Sequence, residues 1–482
     1  MHPSLVRSLQ RIVGKPNVRA LPAQRLAYSF DATFQQSLPT AAVLPASTDE
    51  VSRIMSLLSE AGMPVVARGA ATGLAGGAVP TTAAVVLNLA RMRRIKELDP
   101  GDGIVVTEPG VITAELHRTV ERAGMFYPPD PASLRQCTIG GNLACNAGGP
   151  RCLKYGVTRD YVRSLEVVMA DGTVLQTGSR VLKSSTGYAL NHLFVGSEGT
   201  LGVITEATLR VIPLPRGRAT AMAYFDDLDT AVLAVTETFR AGITPSSLEL
   251  FDRDTLALAE AVTGLDVPAD VRAALLIEVD APDQTTATES LKTAAATMRG
   301  NGAISVRVAL DDHEAEILWR ARRSVSGALG RIAKKKLGED IVVPRTKIPE
   351  MVRAIVDIAQ DTGLRIPIFG HAGDGNLHPN ILFDTADHDD LSRVQAAAIA
   401  IFETAISLGG ALSGEHGVGT LKREFLARNL GDTTVDTMRL IKVALDPHGL
   451  LNPGKVFPDN GESGWKNFLE GLTPMDARVE FA

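Results

Sequence analysis

Three glycine-rich loops fall within residues 68–205, and they constrain this chain more than any other feature of it. The first is Arg68-Gly69-Ala70-Ala71-Thr72-Gly73-Leu74-Ala75-Gly76-Gly77, between two apolar runs that read as strands. The second leads from Pro128-Pro129-Asp130-Pro131 through Cys137-Thr138-Ile139-Gly140-Gly141-Asn142 to Asn146-Ala147-Gly148-Gly149. The third, Gly196-Ser197-Glu198-Gly199-Thr200-Leu201-Gly202-Val203-Ile204-Thr205, opens a strand. Glycine lets successive backbone N–H groups turn toward one anion. A tight turn explains one such loop; three in one span point to a large, extended, phosphate-bearing ligand. None is a Walker loop or a G-x-G-x-x-G turn, and there is no G-x-S-x-G elbow.

Around these loops the pattern is α+β. Ser47-Thr48-Asp49-Glu50 is a capping box before Val51, Ile54, Leu57 and Leu58 on one helical face. Strands are expected at 64–67, 84–89 and 103–107, and a helix at 113–123. Pro213-Leu214-Pro215-Arg216-Gly217 punctuates the chain. Beyond it, strands at 219–225, 273–279 and 304–308 alternate with helices at 227–240 and 286–298, as in β-α-β units. The organisation expected is a helical segment 1–37, a ligand-binding domain 38–215, an inserted α/β domain 216–410 and a closing segment 411–482. Residues 1–30 hold Arg7, Arg11, Lys15, Arg19 and Arg25 and no acid, a transit-peptide-like composition that leaves mitochondrial import open. A folded helix reads better: Ser4 as cap, Leu5, Leu9, Ile12 and Val13 as apolar face, Gly14 as stop.

Net charge is −6, which argues against nucleic acid as a partner. No apolar run approaches the roughly 18 residues of a membrane span. Cys137, Cys145 and Cys152 make neither a disulfide framework nor a zinc or iron–sulfur pattern. They fit a reducing compartment, hence a cytoplasmic location, peripheral to a membrane only through a partner.

Two further segments carry chemistry. In His371-Ala372-Gly373-Asp374-Gly375-Asn376-Leu377-His378, Asp374-Gly375 reads as a two-residue hairpin turn. That turn pairs Gly373 with Asn376 and Ala372 with Leu377, setting His371 directly opposite His378, their Cβ atoms about 4.5–5.5 Å apart. Asn380 lies on the same face. Two such histidines can share a metal ion or be a hydrogen-bonded strand pair. Glu415, among the glycines of 409–419, completes a His371–His378–Glu415 set with open positions for substrate, leaving His416 as a base. Zinc, manganese and iron all suit these donors. The second segment, 319–336, carries seven basic residues and reads as one helix. Leu318, Ala321, Val325, Leu329 and Ile332 form its buried stripe. Arg320, Arg323, Arg331 and Lys334 face away. Arg322 borders the stripe, with Ser326 one turn on, and its fork suits a substrate carboxylate.

The loop set, in this order, resembles the FAD-binding domain of vanillyl-alcohol-oxidase-type flavoproteins. The whole chain, from Tyr28-Ser29-Phe30-Asp31 to Pro453-Gly454-Lys455, is similar to the branch that holds glycolate oxidase subunits, D-lactate dehydrogenases and D-2-hydroxyglutarate dehydrogenases. The resemblance implies a two-subdomain FAD-binding domain, an inserted ferredoxin-like cap and a C-terminal segment returning to the FAD domain. It implies FAD contacts from Arg68, Gly69, Ala70, Ala71, Thr72, Gly73, Leu74 and Gly77. The second loop adds Pro129, Asp130, Ser133, Thr138, Gly140, Gly141, Asn142, Ala147, Gly148 and Gly149. Glu198, Gly202, Val203, Ile204 and Asn452 complete the set. Arg322, Ser326, Asn380 and Lys336 match substrate positions; His371, His378 and Glu415 match metal ligands; His416 matches the base. Lys336 stands two positions out of register with the lysine of the hydroxyglutarate enzymes, and Glu339-Asp340 with Pro344-Arg345 looks like the glycolate/lactate branch.

The implied activity is metal-assisted, FAD-dependent oxidation of a small D-2-hydroxy acid. Electrons would leave to an acceptor protein, a quinone or an iron–sulfur subunit, and a homodimer is compatible. A hydroxyglutarate dehydrogenase and a non-catalytic flavoprotein subunit of an electron-transfer complex are the alternatives. Some relatives hold FAD covalently through a histidine of the first loop; none lies between Arg68 and Gly77. Acid or heat denaturation is therefore expected to release all of the flavin into the supernatant. Flavin that stays with the precipitated polypeptide contradicts this.

Overall fold

The computed structural model describes residues 1–33, 35–384 and 388–458. The end of the 411–482 segment thus lies outside the described residues. The chain forms two compact units. One comprises Met1–Ala147, Val157–Leu214 and the chain from Glu415; the other comprises Gly148–Gly156 and Pro215–Gly414.

The first unit holds two main sheets. In the smaller, the strands Ala41–Val43, Val85–Asn88 and Val65–Arg68 run parallel, and Val18–Arg19 joins antiparallel at one edge. Helices Pro3–Val13 and Thr48–Glu60 share a core with them, in which Leu9, Val13, Val51, Ile54, Leu58, Val85 and Leu87 are buried. Ser47 caps the second helix as expected, its Oγ accepting from the Glu50 N–H at 3.2 Å. The returning Glu50 carboxylate takes the Ala46 N–H at 2.7 Å. At the first helix His2, not Ser4, is the cap, because Pro3 suits the first helical position and moves the start upstream. The larger sheet is antiparallel, in the order Ile95–Asp99, Ile104–Thr107, Val203–Arg210, Val162–Val168, Val174–Gly178.

The second unit is built on one antiparallel sheet. Its order is Ser305–Val308, Gly217–Phe225, Ala273–Ala281, Ser247–Asp252, Ile368–His371, Asn376–Phe383, Lys335–Gly338, with Ile341–Val342 pairing along Asn376–Phe383 as well. The first four strands, with helices Leu228–Arg240 and Gln284–Gly300, make a β-α-β-β-α-β ferredoxin-like unit. Asp227, Asp252, Asp283 and Asp311 each cap a helix through the side chain. Helices Arg253–Thr263 and Asp312–Leu329 share a core with Met222, Phe251, Leu276 and Phe369.

The basic segment is not one helix. It stops at Leu329, and Lys335 and Lys336 lie on the Lys335–Gly338 strand, paired with Phe383 and Leu382. Ile332, expected in the buried stripe, is 40% exposed. Gly327 weakens the last turn, by about 1 kcal/mol relative to alanine, Gly330 stands at its C-cap, and the sheet edge then captures Lys335 and Lys336.

Some glycines serve packing rather than turning. A Cβ on Gly140 would stand 2.6 Å from the Pro109 Cβ. Gly140→Ala is therefore expected to cost roughly 1–3 kcal/mol, read as a lower denaturant midpoint; an unchanged midpoint contradicts that packing.

Candidate active site

In the first unit, no backbone N–H from Gly69 to Gly77 donates to a protein group among the described residues. A run of unengaged N–H groups is an anion cradle. Ala71 at φ 57°, Glu198 at φ 53° and Asn452 at φ 41° hold left-handed backbone, the kind of strain that accumulates where a chain wraps a ligand. The first and second loops touch. A Cβ on Gly69 would clash with Thr138 Oγ1, and Ser133 Oγ donates to Thr72 Oγ1 at 3.5 Å.

Other residues of the expected set also make hydrogen bonds within the protein. Thr138 accepts from the Gly141 N–H, and the Gly140 N–H donates to the Pro109 carbonyl. Arg68 is buried, with Nη1 on the Phe30 carbonyl at 2.7 Å and its guanidinium over the Tyr28 ring. The Asn142 amide donates to Thr113; the Pro129 carbonyl receives His117, and the Ala147 carbonyl receives Thr158. A Cβ on Gly202 would press on Val167, and Val203 and Ile204 are buried in their strand. Asp130 is half-buried, Gly73 and Leu74 are exposed, and Gly148 and Gly149 belong to the second unit.

The Glu198 carboxylate accepts from the N–H groups of Val418 and Gly419 at 2.7 and 2.8 Å. Burial pushes this carboxyl up, against those donors and nearby Lys455 and Lys422. Asn452 donates to the carbonyls of Gly77 and Glu198, and its Oδ1 is buried with no hydrogen-bond partner among the described residues. The cradle and the strained backbone fit the anionic part of an extended cofactor such as FAD, and the unmatched acceptor fits a hydroxyl or N–H donor of the same molecule.

In the second unit the hairpin register differs from the expected one. His371 pairs with Asn376, Gly370 with Leu377 and Phe369 with His378, so the turn spans four residues, 372–375. The slip is two residues, and side chains alternate with period two, so the face is preserved. His371 and His378 are diagonal neighbours with ring centroids 5.2 Å apart, not direct opposites. Gly373 cannot pair with Asn376 as expected because its N–H goes to the Leu248 carbonyl, and a Cβ on it would strike Leu153.

Behind this face lies Glu249, which sequence reasoning missed. It is fully buried on the Ser247–Asp252 strand. His371 Nδ1 lies 2.8 and 2.9 Å from its two carboxylate oxygens, and Arg322 Nε donates to Oε2 at 2.6 Å. Burial alone would raise the Glu249 carboxyl, but His371 and Arg322 outweigh it and hold it below the usual range. Arg322 stacks over Phe369 at 4.7 Å, and its two Nη groups make no hydrogen bond to the described residues. Arg320 and Arg323 are exposed. Asp340, also missed, accepts from Asn376 Nδ2 at 2.7 Å and Ser413 Oγ at 2.5 Å, and its Oδ1 lies 4.0 Å from His378 Nδ1. Asn380 is buried and donates to the His378 carbonyl. Lys336 donates to the Ser326 carbonyl and Oγ at 2.7 and 3.0 Å, and burial lowers its ammonium pKa.

Glu415 is bonded to Gly414, the last residue of the second unit. A Cβ on Gly414 would meet the Asn376 amide at 2.6 Å, so the chain hugs the hairpin as it reaches Glu415. One ligand atom each of His371, His378 and Glu415 lies within 4.8 Å of the others. Two imidazoles and a carboxylate, mostly buried, fit a divalent ion. His416 is half-buried, with Nε2 3.8 Å from its neighbour Glu415.

Two family models match the chain: the FAD linked oxidases, C-terminal domain, over residues 214–456, and the FAD binding domain over residues 39–178. The chain belongs to the FAD-linked oxidases. This family member is an FAD-dependent oxidoreductase with the vanillyl-alcohol-oxidase-type fold. It is 45% identical to glycolate oxidase subunit GlcD of Bacillus subtilis, covering 93% of this chain and 96% of that one. It is 34% identical to a D-lactate dehydrogenase of Anaerostipes hadrus, over 88% of this chain and 91% of that one. A D-2-hydroxyglutarate dehydrogenase of Stutzerimonas stutzeri is 32% identical, over 94% and 99%. In fold it is similar to p-cresol methylhydroxylase, with TM-score 0.80 at 17% identity over 95% of this chain and 97% of the other.

The burial of Arg322 against Glu249 yields a stability test. Arg322→Ala leaves a buried carboxylate with one partner fewer and is expected to cost about 3 kcal/mol. Arg320→Ala and Arg323→Ala are expected to change stability by less than about 0.5 kcal/mol. Chemical denaturation of the three variants checks this; equal effects contradict the assignment.

Proposed function

We propose that this FAD-linked oxidoreductase oxidises a short D-2-hydroxy acid, of the glycolate or D-lactate type, to the 2-oxo acid. The observation that carries the reading is the buried Arg322–Glu249–His371 cluster: a guanidinium with both Nη groups open, sharing a carboxylate with one of two neighbouring histidines. The names of the relatives agree with that substrate class.

The substrate carboxylate would be held by the Arg322 fork, a charge-assisted pair in a dry setting. His371, His378 and Glu415 would hold a divalent ion, zinc with manganese or iron as alternatives, which supplies Lewis-acid polarisation of the substrate hydroxyl. His416 takes the hydroxyl proton as general base. Bound FAD, non-covalent, supplies the acceptor for the hydride released from Cα. The substrate thus loses a hydride and a proton, and its C–O single bond becomes a carbonyl. In this reading residues 38–215 hold the cofactor, 216–410 the substrate and ion, and 411–482 bring the base, with the N-terminal segment 1–37 as support. Intact His371, His378, Glu415 and His416 support an enzyme rather than a non-catalytic subunit.

A five-carbon diacid needs a second cation. Lys336 is the candidate, yet its ammonium is engaged by Ser326. That favours the short monoacid over D-2-hydroxyglutarate. One relative is named as a subunit, so an acceptor protein, a quinone or an iron–sulfur subunit is the proposed route for electrons. No helix among the described residues is long and apolar enough to cross a membrane. A cytoplasmic location, association through a partner and homodimerisation are parts of the same proposal.

Turnover of D-lactate, glycolate and D-2-hydroxyglutarate with a dye acceptor tests it, together with metal analysis. The monoacids are expected to be faster. Chelation should abolish turnover while FAD stays bound, and zinc or manganese should restore it. Full activity in metal-free protein, or a clear preference for the diacid, overturns the respective part.

A further inference from the structure

Arg322 and His371 come from different elements, separated by two sheet strands and a long helix in sequence, yet both end on one carboxylate. Glu249 Oε2 takes Arg322 Nε at 2.6 Å and His371 Nδ1 at 2.9 Å; Oε1 takes His371 Nδ1 at 2.8 Å. We propose that Glu249 is a positioning residue that couples the metal-binding face of His371 to the carboxylate-binding fork of Arg322. The inference rests on the metal and substrate reading above.

A neutral imidazole has one N–H and one lone pair. A carboxylate accepts only, so it keeps the proton of His371 on Nδ1. Nε2 is then the nitrogen whose lone pair a metal would use, the carboxylate–histidine arrangement that orients metal ligands. The same acceptor holds Nε of Arg322 and fixes the plane of the guanidinium, so Nη1 and Nη2 are aimed before substrate arrives. The stack of Arg322 on Phe369, which opposes His378 in the hairpin, limits rotation about the remaining axis. One buried group therefore sets the orientation of both a metal ligand and the anion site. Glu249 itself touches neither substrate nor ion.

Glutamine at this position can accept from both neighbours only through an oxygen at Oε2, and in either orientation its NH2 is forced against one of the two N–H donors. With its oxygen at Oε2, its NH2 sits 2.8 Å from the Nδ1–H of His371. Relief comes from moving that proton to Nε2, which removes the lone pair the metal needs. With its oxygen at Oε1, its NH2 opposes the Arg322 Nε–H at 2.6 Å, and the fork must swing.

The test is zinc titration of the metal-stripped, FAD-loaded protein against a competing chelator, with substrate KM measured beside it. Glu249→Gln is expected to lower zinc affinity about 10- to 100-fold and to raise KM, with FAD content unchanged. His371→Ala runs alongside. If His371→Ala binds zinc as the wild type does, the metal reading itself fails. If His371→Ala loses zinc and Glu249→Gln keeps both wild-type affinity and KM, the metal reading survives and the role of Glu249 is overturned. Should Glu249→Gln not fold, nitrogen-15 imidazole spectra of the metal-free wild type decide the matter. His371 protonated at Nδ1 supports the proposal; protonation at Nε2 overturns it.

Discussion

A carboxylate taken out of water must be surrounded by donors or cations, and two of this protein's buried carboxylates meet that demand in different ways. In the second unit Glu249 sits fully buried between Arg322 and His371. In the first, Glu198 takes two backbone N–H groups of the Val418–Gly419 turn, and its carbonyl takes Asn452. Each carboxylate is the point through which segments far apart in sequence are joined. Removing either would leave uncompensated charge or unfilled donors, so the segments cannot drift independently. The solutions differ in kind. Glu249 is answered by the side chains of His371 and Arg322, which hold its pKa down; Glu198 is answered mainly by dipoles, and burial still raises it.

That difference maps onto the work proposed for each unit. Loops that wrap an anionic cofactor need backbone N–H groups and close approach, which the Gly69–Gly77 loop offers in sequence. A site that polarises a hydroxyl and holds a carboxylate needs side chains fixed against rotation. Its histidines sit on a short hairpin within a large antiparallel sheet, its arginine on a helix packed into the core of that sheet, and its supporting carboxylate on a central strand. Rigid elements suit such a site better than loops do.

Much of this was legible in the sequence where the signal is local. The capping box at Ser47, the strands flanking the first loop and the burial of Arg322 between exposed Arg320 and Arg323 follow from spacing alone. The hairpin was legible as a hairpin but not in its register. Asp374-Gly375 is a strong two-residue signal, yet Gly373 is drawn to Leu248 and Leu153, partners that lie far off in the chain. The face of the histidines survived only because the slip is even. The end of the basic helix failed for a similar reason: pairing of Lys335 and Lys336 with Phe383 and Leu382 is a tertiary choice that no helical wheel contains. Glu249 and Asp340 were invisible as site residues. An isolated glutamate in a Ser-Leu-Glu-Leu-Phe strand reads as a solvent-facing residue of an alternating pattern; it is buried because the sheet is covered on both faces.

The proposed function turns on one metal ion that His371, His378 and Glu415 would hold. Anomalous diffraction from crystals of the active protein, recorded above and below the metal absorption edge, tests it most directly. One peak is expected within about 2.0–2.2 Å of an imidazole nitrogen of each histidine and a carboxylate oxygen of Glu415. Active crystals with no peak there, or with the ion bound elsewhere, would contradict the claim.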